Sequence, residues 1–502
     1  MMIRNSMKSH TELLSWNLLQ KEADRVRLNS DSQPRVVPDS NNYESRKQLN
    51  GIEYDYSRQR VNGAIIDLLI NLADEVKLSE KIDSLMKGKK VNTSENRSAL
   101  HTALRDLSNK SILIDGLDIM SEVVSTREKI RVISNRIREK KWLGHSGLPI
   151  TDIVNIGIGG SDLGPRVCIN ALSNYISKEF NYHFISDVDP ASFNDVIAKI
   201  YPQTTLFIVS SKSFTTKETL LNARKAFALY EDTDSIDQHF IAVTAHPERA
   251  YQMGIKTVLP IWDWVGGRFS FCSAVNLITA IAIGYEQFIE LLAGAHDVDN
   301  HVQFTDFKNN IPVLMALIGI WNNNFLNIHN LLILTYSKKL EYFVPYVQQL
   351  DMESNGKSID VNGRMVDYAT GPIVWGGLGN QAQHSYFQLL CQGTHRCVGD
   401  FITLKTNDEH EINSMCHYKM KVLSEGIQTI ENPYGYIPGN MPMNHLILSD
   451  CSPYTLGALV ALYEHKIFVQ SVIWNINPFD QPGIESAKSA NREITLSLSS
   501  ES

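Results

Sequence analysis

The 502-residue chain predicts an α/β fold with parallel sheets covered by helices. From about residue 110, short apolar runs alternate with amphipathic stretches: DIVNIGIGG (152–160), YHFIS (182–186), TLFIVSS (205–211), FIAVTA (240–245) and TVLPIWD (257–263). Strands this apolar and bounded by glycine and serine belong to sheets buried on both faces. The alternation then returns after residue 310, with strand candidates in HNLLILTYS, IVWGG and FITLKT and a helix in KLEYFVPYVQQLDME (339–353). Two α/β layers of similar design are expected, in a chain too long for one hydrophobic core.

The segment before them is more polar. Residues 1–60 read as an irregular arm, with NSDSQPRVVPDSNNYES (29–45) as loop, and ENRSALHTALRDL (95–107) reads as a helix. The start, MMIRNSMKSHTELLSW, lacks an apolar core of signal-peptide length. The stretch around residues 274–284 is too short to span a bilayer.

Net charge is −8, so nothing favours broad contact with nucleic acid or an anionic membrane. An anionic substrate therefore needs locally placed cations. Six cysteines are scattered without CxxC spacing, several inside apolar runs. They read as reduced core residues rather than disulfides or a zinc site.

Candidate chemistry concentrates in a few blocks. In IVSSKSFTTKET (208–219), Ser210, Ser211, Ser213, Thr215, Thr216 and Thr219 crowd around Lys212 between a strand and a helix start. Helix N-terminal amides, hydroxyls and an ammonium suit a phosphate group; a Ser/Thr helix cap shares that composition. NIGIGGSDLGP (155–165) is a glycine-rich turn after a strand, where Gly160 and Ser161 let a ligand approach the backbone. It differs from the dinucleotide fingerprint, and taken alone it reads as a structural turn.

DWVGGRFSFCSAVN (263–276) sets Arg268 after Gly266 and Gly267. There a permanent cation either stabilises an oxyanion or forms a salt bridge at a turn. QQLDMESNGK (348–357) ends a helix whose buried stripe is Leu340, Phe343, Val344 and Val347. Gln349 and Glu353, four apart, share a face near its C-terminus. A carboxylate there meets the unfavourable end of the helix dipole, a placement suited to a general base; a solvated surface acid is the alternative. WGGLGNQAQHSYFQ (375–388) carries His384 at a helix start, and PFDQPGIESAK (478–488) carries Gln481 and Lys488. Histidine exchanges protons near neutral pH.

Taken together and in this order, the blocks resemble the glucose-6-phosphate isomerase (phosphoglucose isomerase) family from about residue 95 to Lys488. DWVGGRFSFCSAVN and the closing FDQ-x-G-x-E-x-x-K segment look like its two signatures. Some positions depart from the family pattern: Ser213 stands for threonine, Ile484 for valine, and GNQAQH for GTNGQH, with Ala382 replacing a glycine.

The resemblance implies two doubly wound sugar-isomerase (SIS) domains. These would cover 110–285 and 286–475, with an N-terminal helical arm (1–109) on the larger domain and a C-terminal segment (476–502) carrying Lys488. It implies reversible isomerisation of glucose 6-phosphate and fructose 6-phosphate through an enediolate, without metal or organic cofactor. A related SIS-domain isomerase or an inactive sugar-phosphate-binding protein is the alternative. Glu353 matches the base, Arg268 the residue facing the enediolate oxygens, and His384 and Lys488 the ring-opening pair. Ser161, Ser211, Lys212, Ser213, Thr216 and Thr219 match phosphate-binding positions; Gly160, Gly267, Gln349 and Gln481 match positions lining the sugar. A cytoplasmic homodimer is implied, with His384 supplied across the subunit interface.

Overall fold

The protein is described from a computed structural model covering residues 10–28, 43–108, 110–230, 236–428, 431–488 and 490. Most of 29–45 therefore lies outside the described residues. The segment read as an irregular arm is more ordered than expected. It holds a helix, Leu14–Leu28, and a hairpin of β1 (Arg46–Leu49) and β2 (Ile52–Arg58). Asn50-Gly51 forms the two-residue turn, with Leu49 opposite Ile52 and Gly51 at φ +80. Asn-Gly between strands is a strong hairpin signal, and Ile52, Tyr54 and Tyr56 alternate inward. A second correction concerns ENRSALHTALRDL, where only His101–Arg105 coils, as a 3-10 turn. Arg105 is driven fully into the core, where it donates to Asp299 at 2.7 and 2.8 Å and to Glu464. That buried ion cluster overrides the local helical pattern.

After a short ribbon, β3 (Leu113–Ile114) with β4 (Leu117–Asp118), the first large sheet follows the predicted runs. Its strands are β5 (Asp152–Ile156), β6 (Asn181–Ile185), β7 (Thr205–Ser210), β8 (Phe240–Thr244) and β9 (Val258–Pro260). All pair in parallel, in the order β6-β5-β7-β8-β9. This is a doubly wound sheet whose order reverses between β5 and β7.

The second sheet has a parallel centre of β10 (Asn330–Thr335), β11 (Ile373–Leu378), β12 (Val398–Leu404) and β13 (Met443–Leu448). Its order is β1-β2-β13-β12-β10-β11, so the N-terminal hairpin extends it through an antiparallel β2–β13 pairing. The interleaved helices bury their apolar stripes on these sheets.

Among the described residues, one helix, Pro453–Ile473, is long and apolar enough by length and composition to cross a membrane, but 94% of that window is buried inside the protein. Its charged groups find internal partners: Lys466 lies 3.1 Å from Asp351, Glu464 meets Arg105, and His465 is 2.6 Å from Asp299. It is a core helix. All six cysteines are free and buried.

This helix crosses Tyr285–Phe304 at very short range. A Cβ on Gly457 would lie 1.9 Å from the Leu291 carbonyl oxygen, and one on Gly294 1.9 Å from that of Tyr454. Gly457→Ala forces the two helices apart, and overpacking of this kind costs about 1–3 kcal/mol. A lower denaturant midpoint for the variant is expected. An unchanged midpoint contradicts the close crossing.

Candidate active site

The switch point of the first sheet builds one wall. Because β5 and β7 are neighbours, with Ile156 opposite Val209, the turn 157–161 and the loop 211–216 leave the same edge side by side. Open α/β sheets bind ligands in that crevice. Gly159, at φ +59, turns the chain into the helix Gly160–Ala171. A Cβ on Gly160 would meet the Gly267 carbonyl oxygen at 2.0 Å, and one on Gly159 would meet Gln349 Nε2 at 3.0 Å. The glycine turn thus docks directly on the Arg268 turn and the Glu353 helix.

The hydroxyl-rich loop is pinned by its backbone. The Lys212 carbonyl accepts from Ala245 N–H and the Thr244 hydroxyl, both at 3.0 Å, and Arg249 Nη1 donates to the Ser213 carbonyl at 2.5 Å. Phe214 is held at φ +50 with its ring buried, an uncommon conformation for a bulky residue and a mark of an over-determined loop. The Ser211 and Thr216 hydroxyls are 3.2 Å apart, at the start of the helix Lys217–Phe227. Thr219 Oγ1 is buried there without a hydrogen-bond partner. Lys212 donates from Nζ to the Asp263 carbonyl at 2.8 Å. Burial pushes the Lys212 ammonium below its ordinary value, and Asp263 pulls it back up. An anion arriving here meets a helix N-terminus, hydroxyls and a half-desolvated ammonium.

The second wall centres on Arg268, buried in the 3-10 turn Gly267–Phe269. Its Nε donates to Ser354 Oγ at 2.7 Å. Nη2 donates to the Pro478 and Asp480 carbonyls at 2.5 and 2.9 Å, and Nη1 to Gln481 Oε1 at 3.0 Å. Nη1 also lies 3.5 Å from Glu353 Oε2. Burial pushes the guanidinium below its ordinary value and the Glu353 carboxylate opposes that. Glu353 sits in the last turns of the helix Phe343–Asn355 and accepts from Gln349 Nε2 at 2.9 Å. The structure therefore brings together Gly160, Gly267, Arg268, Gln349, Glu353 and Gln481, and sets Ser161, Ser211, Lys212, Ser213, Thr216 and Thr219 along the neighbouring edge.

Two sequence candidates stand apart from this cluster. His384 lies exposed in the turn before the helix Phe387–Gln392, its backbone N–H bonded to the Gln381 carbonyl at 3.0 Å. Lys488, 64% exposed, pairs at 3.5 Å with Glu485 on the helical stretch 482–488. Among the described residues, no hydrogen bond or ion pair joins either to Glu353 or Arg268. Ala382, where the resemblance suggested a glycine, occupies the short helix Gly379–Ala382 and is buried against the second sheet. Its φ is not positive, so a methyl group fits without strain.

Three partners went unassigned in the sequence: Ser354, Lys357 and Asp480. Each lies inside a quoted block, ESNGK or PFDQ, but its task exists only once the two segments meet in space.

Class and family follow in turn. A parallel doubly wound sheet with anion-receptive loops at its switch point, facing a carboxylate–guanidinium pair, defines an α/β enzyme for small anionic substrates. The phosphoglucose isomerase family model matches residues 55–429 and 419–502. A glucose-6-phosphate isomerase of Legionella pneumophila (strain Paris) is 94% identical over 499 residues, covering 99% of this chain and 100% of that protein. One from Francisella philomiragia is 42% identical over 485 residues, covering 91% and 90%. The crystal structure of a glucose-6-phosphate isomerase from Chlamydia trachomatis superposes with a TM-score of 0.90 at 30% identity, covering 98% of this chain and 97% of that one. The chain belongs to the phosphoglucose isomerase family.

The loop geometry generates a direct test. Lys212→Ala removes a charge-assisted contact, so affinity for a phosphorylated sugar acid falls about tenfold to a hundredfold, the effect of ~1.5–3 kcal/mol. An unchanged inhibition constant rejects this loop as the anion site.

Proposed function

We propose that this chain interconverts glucose 6-phosphate and fructose 6-phosphate with Glu353 as the base that carries the proton between C2 and C1. The observation that carries the assignment is the Glu353 carboxylate, held by Gln349 at 2.9 Å and standing 3.5 Å from the Arg268 guanidinium. The carboxylate takes the C2 proton of the open-chain aldose, electrons move into the C1–C2 double bond, and charge develops on the sugar oxygens. Arg268, always protonated and already desolvated, faces that charge. A hydroxyl proton passes from O2 to O1, the carbon proton returns from Glu353 to C1, and the ketose is left with its carbonyl at C2. Ser161, Ser211, Lys212, Ser213, Thr216 and Thr219 hold the phosphate, while Gly160, Gly267, Gln349 and Gln481 line the sugar.

Ring opening needs a proton partner for the ring oxygen and for O1, the work assigned to His384 and Lys488. Their exposed positions in one chain support the reading that a homodimer completes the site, with His384 reaching the partner's centre. Only closed, two-fold association lets both copies do this equally. The protein works in the cytoplasm, a compartment that agrees with six free, buried cysteines.

One experiment tests base and assembly together. Glu353→Gln keeps the side chain's size but cannot accept the proton, so turnover and exchange of the C2 proton with solvent both fall by at least ~10²-fold. His384→Ala is impaired at ring opening. A differentially tagged mixed dimer of the two variants has one doubly defective site and one intact site, and recovers roughly half of wild-type activity. Near-normal turnover in Glu353→Gln removes Glu353 as the base. Failure of verified mixed dimers to recover activity places His384 and Glu353 in the same chain's site.

A further inference from the structure

The segment 477–481 brings Gln481 to Arg268, and it is anchored by a second cation. Lys357, four residues after Glu353, is largely buried, and the three N–H bonds of its ammonium are shared among four acceptors. These are the carbonyls of Ser354 at 3.1 Å, Asn477 at 2.7 Å and Asp480 at 3.0 Å, and Asp480 Oδ1 at 2.8 Å. The other carboxylate oxygen of Asp480 accepts from Ser94 Oγ at 2.5 Å. Asn477 donates to Asn92 Oδ1 and Ser94 Oγ, both at 2.9 Å. The Asp480 carbonyl is shared, since Arg268 Nη2 reaches it as well, at 2.9 Å.

Four charges thus meet across the base of the site, two cations between two carboxylates: Asp480, Lys357, Arg268 and Glu353. Lys357 and Asp480 are 12% and 10% exposed, and Arg268 is 2% exposed, so solvent screens them little. Lys357 feels all three of the others: burial and Arg268 push its ammonium down, while Asp480 and Glu353 push it up. Arg268 is faced in addition by Glu95, from the 92–97 loop. With the pair intact, the Asp480 carboxylate is committed to Lys357 and Ser94. The Arg268 guanidinium then hydrogen-bonds that residue only through its carbonyl; Glu353 is the largest carboxylate influence on its charge, ahead of Asp480.

We propose that the Lys357–Asp480 ion pair is a positioning device for the proton-transfer centre, fixing the 477–481 segment and reserving Arg268 for Glu353. The inference rests on Glu353 being the base. Neither member of the pair contacts Glu353 directly. Each acts through the segment it holds and through the charge it balances. Lys357→Met leaves the Asp480 carboxylate without its cation, and Arg268, which already feels that carboxylate, turns toward it, so Glu353 loses part of its counter-charge. Asp480→Asn does the reverse, leaving an uncompensated ammonium within the field of Glu353. The two variants therefore disturb the base with opposite sign, although both remove the same ion pair. Loss of packing or of an anchor has no such sign.

The test is the pH dependence of kcat/KM for fructose 6-phosphate in the full-length protein, with Lys357→Met, Asp480→Asn, the double variant and Lys357→Arg. Each single variant lowers kcat about tenfold to a hundredfold through misplacement of the reacting groups. KM stays within about threefold, because the phosphate-binding loops are untouched. The acid limb moves to higher pH in Lys357→Met and to lower pH in Asp480→Asn. In the double variant it returns close to its original position, while kcat stays low. Lys357→Arg, which keeps the charge but not the compact four-acceptor geometry, holds the limb in place with partial kcat. Limbs that move in the same direction, or not at all, overturn the proposal. Should Lys357→Met fail to fold, Asp480→Asn alone decides it by the direction of its limb. Glu353→Gln measured alongside separates the two assignments. If it retains turnover, the base assignment fails; if it is inactive while the limbs do not diverge, only the role of the pair fails.

Discussion

The structure turns on one buried guanidinium. Arg268 cannot lose its proton and has almost no contact with water, so every donor it carries must find an acceptor inside the protein. It finds them on two stretches of chain distant in sequence: Ser354 beside Glu353, and the 478–481 segment, which offers the carbonyls of Pro478 and Asp480 and Gln481 Oε1. Satisfying that one group brings the end of the Glu353 helix and the C-terminal segment to the same place. The charge left over faces Glu353 at 3.5 Å. Desolvation makes Arg268 costly to bury, and the same desolvation makes it effective against charge that develops next to it.

The fold prepares the place where this happens. A doubly wound sheet has one crevice where its strand order reverses, and here β5 and β7 deliver a glycine turn and a hydroxyl-rich loop into it. The glycines are needed for contact rather than for flexibility. Gly160 touches the Gly267 carbonyl so closely that no side chain fits between them, and that contact sets the distance between the phosphate-receptive edge and the Arg268 turn. Lys212 strengthens the link by bonding the Asp263 carbonyl, five residues before Arg268. The proposed anion site and proton-transfer site therefore share backbone, as a substrate with a phosphate at one end and a reacting carbon at the other requires.

Much of this was legible in the sequence. In the run TLFIVS, four consecutive apolar residues, Leu206 to Val209, reflect a strand covered on both faces, and all six residues of β7 are buried. The pairing of Gln349 with Glu353 followed from helical spacing alone. Other features were legible but misread: Asn50-Gly51 announces a hairpin, yet its polar surroundings disguised a strand pair whose inward face is two tyrosines and an isoleucine. The ENRSALHTALRDL segment misled for a different reason. Its helical pattern is real, but Arg105 leaves it to reach Asp299 and Glu464, and tertiary ion pairing outweighs local propensity. Ser354, Lys357 and Asp480 were not legible as site residues, because their partners lie across sequence gaps that only the folded chain closes. The placement of His384 and Lys488 away from Glu353 in one chain likewise follows from no local pattern.

The account makes Arg268 a group that acts on charge formed during the reaction rather than a general anchor for the sugar. Arg268→Lys keeps a cation but loses the planar fork. The most direct measurement compares inhibition constants of two phosphorylated ligands against this variant: a planar mimic of the enediolate and a reduced, tetrahedral mimic of the open-chain sugar. The account predicts that the planar mimic loses about tenfold more affinity than the tetrahedral one, in parallel with the fall in kcat. Equal losses for the two ligands, with kcat unchanged relative to KM, would contradict it and make Arg268 a residue of uniform binding.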